Sequence, residues 1–284
     1  MTRRHSTAFL ILLPLTLALA ACTTTTQQGA TGIKRQQLLL LPASQVDAMA
    51  LESYQGALKT ARSKSSLNTD KANLERIRRI ADRLIPQVAV FRTDAATWQW
   101  EVNLETRNEL NAYCSPGGKI MFFTGIINQL KLTDDEIAAI MGHEMAHALR
   151  EHARERLAKS KATSMGLSVA SQLLGLGQLG DVAANVGTQL LTLKYSRDDE
   201  TEADLVGLEI AARGGFKPEA SVQLWKKMLG ATGGGKGQPG FLSTHPSGNN
   251  RIHELEANLP KVTHLYEQAT QPNARSASGT SPLN

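Results

Sequence analysis

A histidine pair four residues apart constrains this chain more than any other feature. In His143-Glu144-Met145-Ala146-His147 the two imidazoles stand about 40° apart on an α-helix, so both can reach one metal ion. The helix has a marked start in Thr133-Asp134-Asp135-Glu136: Thr133 caps it, and Glu136 three residues on completes a capping box. We expect it to run to about Leu157. On a helical wheel Ile137, Ile140, Met141, Met145 and Leu149 form an apolar stripe, and His143 and His147 lie on its edge, where a cleft floor would be. His152 falls in the middle of the stripe, opposite His143, and reads as a core histidine outside the metal set.

Zinc suits this pair, because neutral imidazole binds it well and it keeps a position open for water. Glu144, beside the first ligand, is placed to take a proton from that water, whose pKa zinc lowers from about 16 to about 7. Such a site needs a third protein ligand. A third histidine six residues on is missing, since Ala153 stands there and Arg150 replaces the glycine of that pattern. Glu200 and Asp204 in Glu200-Thr201-Glu202-Ala203-Asp204 share a face of a second helix, with Glu202 on the other. Spacing fits two readings here: Glu200 as ligand with Asp204 orienting a histidine, or a solvated acidic helix start complementing the dipole.

Around these motifs the chain reads as helices, a small sheet, then helices: α+β, mostly helical, one domain. Helical stretches are expected at Val46–Ala61, Leu74–Ile85, Ser164–Leu174, Val182–Leu193, Asp198–Arg213 and Pro218–Leu229. Strands are expected at Trp98–Leu104, by period-2 alternation with both tryptophans on the core face, and at Ile120–Phe123. The second, just before the histidine helix, is a candidate edge for pairing with an extended peptide. Gly175-Leu176-Gly177-Gln178-Leu179-Gly180 matches a dinucleotide fingerprint but lacks a preceding strand, so it reads as a helix–helix loop. No nucleotide is expected. The net charge of +5, two of whose positives are Arg3 and Arg4, is spread along the chain and calls for no nucleic acid.

The N-terminus reads as an address. Arg3 and Arg4 precede the apolar run Phe9–Ala20, too short for the roughly 20 residues that span a bilayer, and so a signal peptide over residues 1–21. Leu19-Ala20-Ala21-Cys22 resembles the bacterial lipobox, which implies an acylated Cys22, and Thr23 after it points to the outer membrane, periplasmic face. Residues 22–45 read as a polar tether, 46–266 as the folded domain, and 267–284 as a disordered tail. Cys114, the other cysteine, reads as a small buried hydrophobe.

The spaced motifs carry a resemblance. His143 to His147, Glu200 and Asp204 within Ser196–Asp204, Ser243-Thr244-His245-Pro246 and the later Arg251-Ile252 resemble the HtpX and CAAX prenyl protease family of zinc metallopeptidases. Asn111–Ile120 followed by Phe122-Phe123-Thr124-Gly125 is similar to its BepA-like and mitochondrial Oma-type branch. The resemblance covers roughly Leu74 to Leu259. It implies a zincin-like domain holding one zinc per chain through His143, His147 and Glu200, with Glu144 as base and Asp204 orienting a ligand. It implies a zinc endopeptidase acting on unfolded or misassembled envelope proteins; an outer-membrane assembly factor or chaperone with a latent or structural zinc is the alternative. It also gives His245 a part, either hydrogen-bonding the oxyanion or occupying zinc's open position, with Ala231–Gly240 as its hinge. Arg251 either positions substrate carbonyls or braces that loop.

Overall fold

The computed structural model describes residues 22–160, 163, 194–231, 240–246 and 249–271. The expected signal peptide, the helices at 164–174 and 182–193, the glycine-rich 175–180 loop, most of the 231–240 hinge and the tail beyond 271 lie outside the described residues. Two short strands, β1 (Cys22–Thr23) and β2 (Gln37–Leu38), pair antiparallel. Then follow helices α1 (Ala43–Ser63) and α2 (Lys71–Leu84). Next comes a sheet of β3 (Glu101–Glu105), β4 (Ala112–Ser115) and β5 (Lys119–Phe123). Helices α3 (Thr124–Gln129), α4 (Asp134–Leu149), α5 (Arg197–Arg213), α6 (Glu219–Ala231), α7 (Phe241–Thr244) and α8 (Asn249–Thr270) complete it. This is the expected α+β architecture, helical with a small sheet. Among the described residues no helix is long and apolar enough to cross a membrane.

The sheet order is β3-β5-β4, with β3 parallel and β4 antiparallel to β5. This corrects the expected peptide edge: β5, which contains Ile120–Phe123, is the central strand, and β3 and β4 are the edges. Four residues with a tyrosine and a serine carried too little alternation to signal β4. Asn111 and Ser115 accept from Phe123 and Gly118, so the intervening Ala112 and Cys114 turn their backbone edge away from β5. The β3 strand starts only at Glu101; Trp98 and Trp100 precede it, their rings stacked with centroids 5.5 Å apart.

The α4 capping box forms in full, Thr133 with Glu136. Its apolar stripe, however, is not a one-sided face. Every residue from Glu136 to Leu149 is buried, because the sheet, α2, α5 and α6 surround the helix. It also stops eight residues short of Leu157. Arg150 caps it, Glu151 adopts the left-handed conformation at φ 50°, and 152–160 resume as a helix.

Two glycines set the distance between α4 and α5. A Cβ on Gly142 would stand 2.7 Å from the Gly207 carbonyl oxygen, and one on Gly207 only 2.5 Å from the His143 nitrogen. The helices therefore touch backbone to backbone, next to the first histidine. Helix α8, which the sequence reading lacked, runs through Pro260 and takes in residues 267–270 of the expected tail.

The segment read as a polar tether is laid on the domain. Thr26, Thr31 and Gln37 are buried. The Thr31 amide and hydroxyl both donate to buried Glu209 on α5, at 3.0 and 3.2 Å, and the Gln27 amide bonds the Phe91 carbonyl. Polar composition misled here because the surface it covers is itself polar.

Candidate metal centre

Helix α4 contributes His143, Glu144 and His147; α5 contributes Glu200 and Asp204; His245 follows directly on α7; and Arg251 lies in the first turn of α8. The fold brings all seven together, and all are buried. His143 Nε2 lies 3.1 Å from His147 Nε2 and 3.2 Å from His245 Nδ1. Glu200 Oε1 is 3.0 Å from His245 Nδ1 and 3.5 Å from His147 Nε2, and its Oε2 is 3.7 Å from His143 Nε2. Ligand atoms about 2.0–2.1 Å from a tetrahedral ion stand about 3.3–3.4 Å from one another. One donor atom from each of His143, His147, Glu200 and His245 lies within 4.8 Å of the rest, and the four could hold a metal ion. A borderline-soft cation such as zinc fits three imidazoles and a carboxylate.

The surroundings prepare these donors. Asp204 Oδ1 lies 3.0 Å from His143 Nδ1, and Arg251 clamps Asp204 with two bonds of 2.7 Å while its third nitrogen is 2.5 Å from Glu200 Oε2. The guanidinium sits 3.6 Å from the ring centre of Trp225, so Arg251 braces the carboxylates from a desolvated position. Tyr195 stacks on His147 with centroids 3.9 Å apart, and Phe241 on His245 at 4.2 Å. Neither aromatic was singled out by the sequence reading, because neither falls within its spaced motifs. Ser196 caps α5 in a second capping box with Asp199.

Charge and burial act in opposite senses. Burial pushes Glu144 above the usual carboxylate range, against the nearby His245 and His143. Burial also holds His147 well below the ordinary imidazole value, hence neutral. For Glu200 and Asp204 burial is outweighed, by His245 and Arg251 for the first and by Arg251 and His143 for the second, and both carboxyls stay well ionised. His245 is raised because Glu144 and Glu200 outweigh its burial. Glu144 Oε1 lies 3.5 Å from His245 Nε2 and, though buried, has no hydrogen-bond partner among the described residues. An unmet buried acceptor beside four converging donors fits a carboxylate that would take a proton at a metal-bound group.

The break after α4 also corrects the position of His152. The wheel angle assumed a continuous helix. In the fold its Nδ1 faces His147 Nδ1 at 2.8 Å, and its Nε2 meets Glu202 Oε2 at 3.0 Å. The four-donor set is made of His143, His147, Glu200 and His245. Cys114 is buried, and its thiol is pushed well above its ordinary value by burial and by Glu144. With Tyr113, Tyr195 and Thr244 it lines a cleft that reaches Glu144 and His245, so edge strand β4 forms one wall of the opening.

A helical domain whose central helix presents His-Glu-x-x-His to a carboxylate on a second helix packed against it is a metallopeptidase fold. The family model "Peptidase family M48" matches residues 71–259, and the chain belongs to that family. It is 38% identical over 165 residues to the mitochondrial metalloendopeptidase OMA1 of Schizosaccharomyces pombe, covering 58% of this chain and 48% of that protein. It is 33% identical over 188 residues to OMA1 of Saccharomyces cerevisiae, covering 65% and 53%. The beta-barrel assembly-enhancing protease of Escherichia coli matches at 22% over 178 residues, covering 59% and 36%. The aligned region thus spans about half of each yeast relative and about a third of the bacterial one.

Proposed function

We propose that this chain is a zinc-dependent endopeptidase that holds one zinc through His143, His147 and Glu200, with Glu144 as its general base. The observation that carries the reading is the convergence of these donors beside Glu144, whose buried Oε1 has no hydrogen-bond partner among the described residues. Zinc, when bound, polarises a scissile carbonyl and acidifies a water. Glu144 accepts the proton of the attacking water and returns it to the leaving amine, and its raised pKa suits it to both tasks. Asp204, clamped by Arg251, keeps the His143 proton on Nδ1 and leaves Nε2 free to ligate. Arg251 therefore braces the site and does not reach toward substrate. An extended substrate donates its amides to the outward carbonyls of Ala112 and Cys114 on β4, whose own N–H groups are taken by Asn111 Oδ1 and Glu144.

His245 takes the gating role in this reading. Its Nδ1 occupies the fourth donor position, and four protein ligands are the pattern of closed sites, whereas catalytic ones keep a position open. Turnover requires His245 to withdraw. The closed set also favours a second reading, an assembly factor with a latent zinc, which is tested by whether Glu144→Gln still supports outer-membrane protein assembly.

The lipobox-like Leu19-Ala20-Ala21-Cys22 supports an anchor through Cys22 at the periplasmic face of the outer membrane, with misassembled envelope proteins as substrates. The name of the Escherichia coli relative fits that setting; those of the OMA1 relatives place a similar domain in mitochondria. The first experiment measures zinc content and casein cleavage for the purified protein and Glu144→Gln. About one zinc in both, with cleavage by the wild type alone, is the expected result; no zinc in either sinks the reading.

A further inference from the structure

The two metal-facing histidines are oriented by different means. His143 is held directly by Asp204, but His147 reaches its carboxylate through a second ring. Its Nδ1 lies 2.8 Å from His152 Nδ1, and His152 Nε2 lies 3.0 Å from Glu202 Oε2. Two facing ring nitrogens at that distance share one proton. An ionised Glu202 only accepts, so His152 carries its proton on Nε2 and accepts at Nδ1. His147 is then the donor at Nδ1, which leaves its Nε2 bare toward His143 and Glu200.

Glu202 is itself fixed from outside the catalytic helices. Arg150 donates to it at 2.8 and 3.0 Å, and Arg35 makes a close ion pair with it. Arg35 lies between β1 and β2 and also binds Glu155 at 2.7 Å and Asp199 at 2.9 Å. Arg150 in turn donates to the Thr24 and Thr26 hydroxyls at 3.0 Å and to the Arg35 carbonyl at 2.9 Å. In such a buried charge network, each group is held only while its partners are present.

We infer that the N-terminal segment 24–37 is a working part of the metal centre: through Arg35 and Arg150 it fixes Glu202, and Glu202 through His152 sets the tautomer and ring orientation of His147. Arg35, Glu202 and His152 are positioning residues, since none of them reaches the metal position. The inference rests on the metal site proposed above.

Zinc affinity by chelator competition, and the visible spectrum of the cobalt-loaded protein, are measured for wild type, His152→Phe and Arg35→Gln. Metal-free melting of each variant checks its folding. His152→Phe is expected to bind zinc about 10–100-fold more weakly and Arg35→Gln about 3–10-fold more weakly, both with altered cobalt bands. Zinc binding by both variants within about twofold of wild type, with unchanged spectra, overturns the inference. Failure of the wild type to bind zinc removes the metal site instead. Should His152→Phe not fold, imidazole ¹⁵N shifts of the wild type decide: His147 protonated at Nδ1 and His152 at Nε2 supports the relay, and the reverse overturns it.

Discussion

Replacing Gly207 by alanine adds one methyl group where α4 and α5 touch. The new carbon would lie 2.5 Å from the His143 nitrogen, 2.7 Å from the Gly142 carbonyl carbon and 2.8 Å from the His143 Cα. These are backbone atoms of a buried helix, so no rotamer relieves the clash, and the helices must part by about 1 Å to restore ordinary contact. Overpacking of this kind costs about 1–3 kcal/mol, a fall in melting temperature of about 2–12 °C for a chain of this size. The larger effect is on the site. His143 and His147 ride on one helix and Glu200 and Asp204 on the other, so the parting opens the donor set, and a displacement near 1 Å costs about 100-fold in turnover. The assay is thermal denaturation of metal-free protein, zinc affinity and casein cleavage. Gly230→Ala on α6 serves as control, because its Cβ meets nothing within 4 Å, and it is expected to be neutral or to stabilise by up to about 1 kcal/mol. If Gly207→Ala melts within about 1 °C of wild type and cuts casein within about threefold of it, the close helix approach does not set the site.

His245→Ala removes the fourth donor, so casein cleavage should rise at least about threefold while zinc binding weakens about tenfold; no change in either refutes the gate. Glu202 and Glu155 are held down to about 2 from an ordinary 4.5, burial being outweighed by His152 and Arg35 for the first and by Arg35 and Lys159 for the second. With the folded value depressed, their stabilisation is present above pH 4.5 and lost as pH falls toward 2, up to about 3 kcal/mol each. Urea midpoints at neutral pH, pH 4.5 and pH 3 should show this loss, flattened in Arg35→Gln, and a wild-type midpoint that does not move below pH 4.5 contradicts it. A peptide substrate N-methylated at the amide facing β4 should be cleaved about tenfold more slowly, the effect of one backbone hydrogen bond; equal rates would place the substrate elsewhere.

The site was legible because its signals are local. Thr133 and Glu136 announced the helix, and the histidine spacing announced what it presents. Glu200 and Asp204 could be paired by spacing alone, but their distance to the histidines could not, because it depends on Gly142 and Gly207, which occupy no motif. The left-handed Glu151 has no glycine to mark it, so a continuous wheel put His152 on the wrong side of the helix. β4 was too short to show alternation, and Pro260 reads as a breaker although α8 runs through it. The N-terminal segment failed for a different reason. Threonine, glutamine and arginine look solvated until the buried Glu155, Glu202 and Glu209 that receive them are known.

The side chains that meet at the centre come from His143 at one extreme and Arg251 at the other. During synthesis, α4 leaves the ribosome long before the helix that carries Arg251, and until α8 follows, Glu200 and Asp204 lack the guanidinium that both of them meet. A nascent or C-terminally clipped chain therefore displays its histidine motif without an assembled centre around it. The order of the elements makes the braced metal centre a property of a chain synthesised through α8.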